Sequence, residues 1–544
     1  MPWLSLLASK TTELLERFHE WKSEPQHLGR YSIEKLATFD AYQNSVSRTR
    51  VALVVLLSPL PTVFILCALD AIPLKDPRLD VSEHWLTFVR SAISHTLLAY
   101  ALLIAVKQAI GLDNNAYSHK TIAFTAICTG VAQEALWTTV AFTWRFPVPF
   151  REFIGVVPLM TFTVAFTYVF ARDTFARRLQ TLIKYTPIVS LQLVLFYFFL
   201  VLSLGFAYVP TLVQVAMMLL FPFFKVATKR FLWRYAQKLD DVSTDVTICL
   251  VELSGSLYQT VCMQFVNSSA LTSVIMLTDF IQAALEVRAY LKDEYMTDGR
   301  STLQTAIKIV ECATNPVAED ENSGGRAPSR GLAARQSSYL NRRLASSNSL
   351  NKGLGAGEDS EQTSLQALWT ASKRGASAGS IRKRANTVVF IDGMRIQRKD
   401  QARVLEQTLQ LLFACEVLIF AEYMEVFMPV LYGSCIGSLW TLPTAKYNQI
   451  LMRMTHAQMK TEVLTSFAYA AAEALSFLSM HLLIKRKYGI STLYLLAFVL
   501  ETYWLTLQGK LIGCFITIMN SAMVHQGVDF SFRFDYNAML SGST

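Results

Sequence analysis

The sequence predicts an all-α polytopic integral membrane protein with about eleven transmembrane helices and a long disordered cytoplasmic loop. The chain has 544 residues, of which 52% are hydrophobic and only 17% are charged. A soluble protein of this length would divide into several domains and carry about 25% charged residues. Here the apolar residues are gathered into repeated blocks of roughly 20 residues, which is the length that one helix needs to cross a bilayer.

The N-terminal segment, residues 1–50, has apolar residues at roughly helical spacing as far as Trp21. We expect either an interfacial helix on the membrane surface or an ordinary helix packed on the bundle. The first part of the bundle, residues 51–290, follows with about eight helices. Pro59 and Pro61 in its first block predict a kink, whose freed carbonyl groups neighbouring helices must satisfy. The eight apolar blocks span about 51–69, 88–106, 121–143, 153–171, 187–207, 209–225, 246–266 and 269–286.

The second part of the bundle, residues 404–525, contains about three helices, and a C-terminal tail covers 526–544. Its apolar blocks span about 405–432, 462–484 and 491–520. The last block is longer than one crossing needs. It predicts either a long tilted helix or a break near Gly509 and Gly513.

The basic residues of the loops predict a cytoplasmic N-terminus. With that orientation, the loops around 172–184, 225–238 and 485–487 lie inside and are rich in Lys and Arg, as the positive-inside rule requires. The segment 438–461 is the exception, since its three basic residues fall outside. Because this topology accounts for the net charge of +9, the sequence argues against a nucleic-acid partner.

The segment 291–403 differs from the rest of the chain and predicts the disordered loop. It is rich in Ser, Gly, Arg and Asn and has few large apolar residues, so it cannot bury enough surface to offset its chain entropy. This loop is either a solvated linker or a regulatory segment that recruits cytosolic proteins. Four hydroxyl residues that follow an arginine are candidate phosphorylation sites, namely Ser337, Ser346, Ser377 and Thr387.

Carboxylates inside the apolar blocks are the strongest functional signal. Glu416, Glu422 and Glu425 lie in one long apolar run, with Glu422 and Glu425 on the same helical face. A carboxylate inside a membrane is costly and must face protein, water or a cation rather than lipid. Together with the basic Lys510, other acidic residues within the blocks complete the candidate intramembrane polar site, namely Glu252, Glu473 and Glu501, and Glu134 also lies in a predicted crossing.

Three interpretations of these carboxylates stay open at the level of sequence. They line a path for protons or cations, or they are protonated and join helices by hydrogen bonds, or they lie near helix ends and reach water. Acidic residues exceed bases within the blocks, where Lys510 is the chief cation. Lys510 lies nine residues after Glu501, on roughly the opposite helical face, so the two do not pair within one helix.

Catalytic and cofactor signatures are missing from the sequence. No HExxH, GxSxG or P-loop motif is present, and the eight cysteines have no zinc-like spacing, so we expect no enzyme activity, metal or cofactor. His456 and His525 lie at polar ends of apolar blocks and are expected at the surface.

Several stretches resemble a large family of functionally uncharacterised multi-pass membrane proteins of oomycetes. They include SPLPTVFILCALDAIPLKDP (58–77), VELSGSLYQTVCMQ (251–264), LLFACEVLIFAEYMEVFMPVLY (411–432), STLYLLAFVLETYWLTLQGKL (491–511) and HQGVDFSFRF (525–534). The resemblance implies that Glu252, Glu416, Glu422, Glu425 and Glu501 belong to recurring motifs, and it assigns them no role.

Three classes of function follow from the sequence, and the third is an intramembrane lipid enzyme whose catalytic groups are not contiguous in the chain. The first is transport or channel-like passage of a small solute or cation through the intramembrane carboxylates. The second is a non-transporting receptor or scaffold whose loop 291–403 binds cytosolic partners. The lipid bilayer is a partner in all three, and we expect the plasma membrane, with an internal membrane as the alternative.

Overall fold

The computed structural model describes residues 31, 33–110, 112, 114–206, 209–236, 243–264, 302–314, 389–391, 394–396, 398–529 and 534. These residues are almost entirely helical. The helices before the predicted loop are α1 Ile33–Ser45, α2 Arg48–Leu57, α3 Leu60–Asp70, α4 Trp85–Ile110, α5 His119–Thr143, α6 Arg151–Ile154, α7 Val156–Arg177, α8 Leu179–Gly205, α9 Thr211–Ala236 and α10 Ser243–Gln264.

Shorter elements and four further helices complete the described chain. A helix, α11 Thr302–Thr314, precedes a small antiparallel hairpin of β1 Val389–Ile391 and β2 Met394–Ile396. The remaining helices are α12 Arg398–Trp440, α13 His456–Tyr488, α14 Thr492–Thr502 and α15 Trp504–Ser521.

Five of the described helical segments are long and apolar enough to cross a membrane, or six if a bent pair in α9 is one span. These segments fit an integral membrane protein, and they confirm the predicted helical class. The predicted number of about eleven is not confirmed. Ten of the eleven predicted blocks coincide with helices, but α5, α10, α12 and the α14–α15 pair do not pass as spans. The eleventh block, 269–286, lies outside the described residues.

The first apolar block is broken at the predicted position. α2 ends at Leu57 and α3 begins at Leu60, with Pro59 between them. Two side chains from distant helices satisfy the carbonyl groups at this break. The Tyr423 hydroxyl donates to the Val55 carbonyl oxygen, and the Gln508 amide donates to the Ser58 carbonyl oxygen, each at 2.8 Å. These two carbonyls are therefore satisfied within the protein, as a bilayer requires.

The centre of the fold is α12, whose residues 411–424 are buried without interruption. It packs along α13 and also contacts α3, α10, α11 and α14. A second packing unit pairs α4 with α5, and α15 joins the two units because it packs on both α3 and α4. A helix that is buried on all sides need not be amphipathic, and this is why the sequence of α12 is a nearly continuous apolar run.

The structure differs from the sequence prediction in the last apolar block, and it describes parts of the predicted loop. The last apolar block does break, but at Tyr503 between α14 and α15, whereas Gly509 and Gly513 lie inside α15. Within the predicted loop 291–403, α11 and the β1–β2 hairpin have regular structure, and α12 already begins at Arg398, so disorder is not confirmed for these parts. Ser337, Ser346, Ser377 and Thr387 lie outside the described residues.

We predict that the α4–α5 contact depends on Gly130. A Cβ atom at Gly130 would lie 2.8 Å from both the Ala92 carbonyl oxygen and the Thr96 amide nitrogen, which belong to backbone and cannot rotate away. Gly130→Ala should therefore lower stability by about 1–3 kcal/mol, although alanine is the better helix former. The measurement is the Tm of the full chain in detergent.

Gly205→Ala is the matched control, because a Cβ atom there meets no atom within 4 Å. Its Tm should stay at or slightly above that of the unmodified chain. Equal Tm values for the two alanine variants would contradict the close approach of α4 and α5.

Candidate functional site

A buried ionic cluster joins α9, α10 and α12. The Lys225 ammonium lies 2.8 Å from a Glu252 carboxylate oxygen and also contacts the Glu425 carboxylate. Lys229, one helical turn further along α9, contacts the other oxygen of Glu252. Two bases and two acids from three helices therefore form one connected group, which we call the Lys225 cluster.

The Lys225 cluster is electrically balanced and nearly sealed. The exposed fractions of the side chains are 0% for Glu252, 2% for Lys225 and 8% for Lys229, and Glu425 reaches 15%. Charges in a medium of low dielectric constant are stable only when they are paired and hydrogen-bonded. Glu425 is thus the member of the cluster with the most access to solvent.

The helix that carries both lysines is bent beside the cluster. The segments Leu212–Phe221 and Phe223–Lys229 meet at an angle of 42°, and the intervening residue is Pro222. Proline removes a backbone hydrogen bond and its ring displaces the preceding turn, so a bend at this position has a direct cause. Lys225 lies three residues beyond the bend.

Glu416 and Glu501 pair with bases from the N-terminal helices. The Lys35 ammonium donates to a Glu416 oxygen at 2.7 Å and lies over the rings of Tyr31 and Tyr503. Arg50 binds both oxygens of Glu501, at 2.9 and 3.1 Å, in a more exposed position. Both pairs tie α1 and α2 to the second part of the bundle.

Glu422 and Glu473 lie at the contact between α12 and α13. The Ser476 hydroxyl donates to a Glu422 oxygen at 2.9 Å in a buried position. Glu473 is buried one turn earlier on α13. Glu416, Glu422 and Glu425 therefore contact three different partners, namely Lys35, Ser476 and Lys225.

The sequence predicted that Lys510 is the chief base available to these carboxylates, and this prediction is wrong. Lys35, Arg50, Lys225 and Lys229 all approach carboxylates, although the sequence places them in the N-terminal segment or in a cytoplasmic loop. The physical reason is helix length. α9 continues to Ala236, well past the end of its apolar block, so bases that mark the loop in the sequence lie on helical turns that face neighbours.

Lys510 faces an internal cavity of the bundle. It lines a cavity of about 150 Å³ between α4, α7, α8 and α15. The lining is mostly aliphatic and aromatic, with a few polar side chains such as Gln192 and Tyr197. None of the predicted glutamates lines this cavity, so Lys510 does not belong to the Lys225 cluster.

Sequence reasoning missed a second set of buried charges, which involves α3, α4, α5 and α6. Arg151 contacts Glu134, and Arg90 contacts Asp70, with all four side chains nearly inaccessible. Only Glu134 stood out in the sequence, because the two arginines lie at or just beyond the ends of apolar blocks. Their spacing gives no signal, since the partners are distant in the chain and meet only in the folded bundle.

The segment HQGVD (525–529) is buried, so the expectation that His525 is exposed is wrong. The His525 ring is 1% exposed and its Nε2 donates to the Lys75 carbonyl oxygen at 2.8 Å. It lies beside the rings of His84, Phe146 and Tyr447.

Gly527 supports this arrangement with a positive φ of 67°, and the Phe150 amide donates to its carbonyl oxygen. His456, in contrast, is exposed as expected.

We predict acid-dependent destabilisation through His525. Burial lowers the pKa of His525 to about 4, whereas its ordinary value is 6.5. As the pH falls, the unfolded chain binds a proton on this histidine before the folded chain does. The contribution of His525 to the free energy of unfolding is therefore fully present above about pH 6.5 and is lost as the pH falls towards 4, by roughly 3 kcal/mol in total. His525→Gln keeps a donor for the Lys75 carbonyl and does not titrate. Its Tm should fall less between pH 7 and pH 4.5 than the Tm of the unmodified chain; parallel curves would contradict this role.

Comparison with known proteins adds no assignment. Within the described residues, no group of three or more His, Cys, Asp or Glu side chains is placed to hold a metal ion. No protein-family model, curated protein or solved structure matches the chain. The apolar helices indicate a membrane location, and the site must be interpreted from its own geometry.

Proposed function

We propose that the protein is a multi-pass membrane transporter of a small solute or cation, with the Lys225 cluster as its coupling site. The observation that supports this most is that one ammonium group contacts carboxylates from two different helices, α10 and α12. Ionisable groups inside a membrane domain are expensive, and they commonly mark proton or ion pathways.

The geometry suggests how the Lys225 cluster would act. Glu425 is the partly exposed acid, so a proton or cation from water reaches it before it reaches Glu252. Neutralising Glu425 weakens its hold on Lys225, which remains paired with Glu252. The contact between α9 and α12 would then loosen while α9 and α10 stay joined, and the bend at Pro222 gives α9 a place to move. Broken helices at binding sites are a recurrent feature of transporters.

The test is ion flux in vesicles reconstituted with the full chain. The probes are H⁺, Na⁺ and K⁺, each driven by its own gradient and followed with an ion-sensitive dye. We expect the unmodified chain to raise one of these fluxes above that of empty vesicles, and Glu425→Gln to reduce it about tenfold.

Glu501→Gln is the matched control, since it removes a carboxylate of the same type from an exposed ion pair. It should leave the flux within about twofold of the unmodified chain. A Glu425→Gln variant that folds normally and conducts as well as the unmodified chain would remove the Lys225 cluster from the transport path.

A second candidate function is a non-transporting receptor or scaffold. It is favoured by the pairing itself, because Glu252, Glu416, Glu425 and Glu501 all have basic partners, as structural ion pairs do. Vesicles that conduct none of the three ions would favour this function, and partner binding through 291–403 would then be measured directly. Membership of the oomycete family and a plasma-membrane location remain proposals that neither function requires.

A further inference from the structure

Glu152 is the unmatched acid in the second set of buried charges. Glu134 contacts Arg151, and Asp70 contacts Arg90, so two carboxylates are matched by two guanidinium groups. Glu152 is buried as deeply, yet it has no ion-pair contact among the described residues, and its Oε1 has no hydrogen-bond partner there. The group as a whole carries one more acid than it has arginines.

The surroundings of Glu152 leave few ways to balance this charge. Its electrostatic neighbours are His95, Arg151, Glu134 and Arg90, and Tyr197 lies in range on α8. His95 Nδ1 lies 3.4 Å from a Glu134 oxygen. Each arginine already contacts another carboxylate. Against the two guanidinium groups, an ionised Glu152 would be a third buried carboxylate, and such a charge is far more costly to bury than the neutral acid.

We propose that Glu152 is a protonated carboxyl group and that it forms a proton-binding site separate from the Lys225 cluster. The inference goes beyond the proposed function and does not depend on it. Deprotonation of Glu152 sets three buried carboxylates against two guanidinium groups. Tyr197 also lines the 150 Å³ cavity, so this site adjoins an internal space of the bundle.

The sign of the pH effect follows from proton counting. An unfolded glutamate has lost its proton above about pH 5, whereas the folded chain keeps the proton on Glu152. The folded state therefore binds more protons, and its stability must fall as the pH rises. Glutamine reproduces the shape and neutrality of the protonated acid, so Glu152→Gln should remove this dependence.

The experiment compares Glu152→Gln with Glu134→Gln in the full chain in detergent. We expect Glu152→Gln to keep the Tm at neutral pH and to flatten its decline from about pH 6 to about pH 9. Glu134→Gln leaves Arg151 without its carboxylate and should lower the Tm by about 5 °C or more. Exposed Glu406→Gln should change neither the Tm nor its slope. Equal losses for Glu152→Gln and Glu134→Gln would overturn the proposal, since Glu152 would then be an ionised partner too.

Infrared spectroscopy of the unmodified chain gives a second measurement that needs no stable variant. At pH 8 exposed carboxyl groups are ionised, so a carboxylic acid C=O band must come from a buried protonated group. We expect such a band, and Glu152→Gln should weaken it if that variant folds. An unmodified chain without the band would overturn the proposal, as would a Tm that rises with added Na⁺ and ignores pH, because a metal cation would then balance Glu152.

Discussion

The need to pair buried charge organises this structure. A Lys or Glu side chain that is removed from water without a partner costs several kcal/mol, and removal of one partner from a buried pair costs a similar amount. The described helices meet this constraint by crossing at opposite charges. Lys225 joins α9 to α10 and α12, Arg151 joins α6 to α5, and Arg90 joins α4 to α3. The ion pairs therefore add links between helices, and among these linked pairs only α9 and α10 also pack extensively against each other.

Backbone carbonyl groups at the break in the first apolar block also need partners, and side chains from distant helices supply them. The chain places Pro59 in an apolar block, and Tyr423 and Gln508 satisfy the carbonyl groups near the break. Tyr423 belongs to α12 and Gln508 to α15, so the break is also a junction of the two parts of the bundle. The same kind of contact occurs in a loop, where the His525 ring donates to the Lys75 carbonyl oxygen.

The sequence was sufficient to predict those features that depend on local periodicity. The helical class, the positions of ten helices and the break at Pro59 follow from apolar blocks and from proline, which act over one or two turns. The partners of the buried acids do not follow from such patterns. Lys225 and Glu425 lie 200 positions apart in the sequence. In the sequence Lys225 looks like a loop residue, because helix α9 continues beyond the end of its apolar block. His525 is a similar case, since only three loops that are remote in sequence bury it. Lys510 lines an internal cavity that none of the acids grouped with it in the sequence lines, and apolar periodicity gives no signal of such a cavity.

The most direct test of this account is the energetic coupling between Lys225 and Glu425, measured by unfolding Lys225→Met, Glu425→Gln and the double variant in detergent. Lys225→Met alone leaves two carboxylates against Lys229 and should lose about 3–5 kcal/mol of stability. The double variant keeps the balanced Lys229–Glu252 pair, so we expect it to regain much of that loss. Losses that simply add in the double variant would contradict the account, because the two side chains would then be independent and the helices would not be held together by their charges.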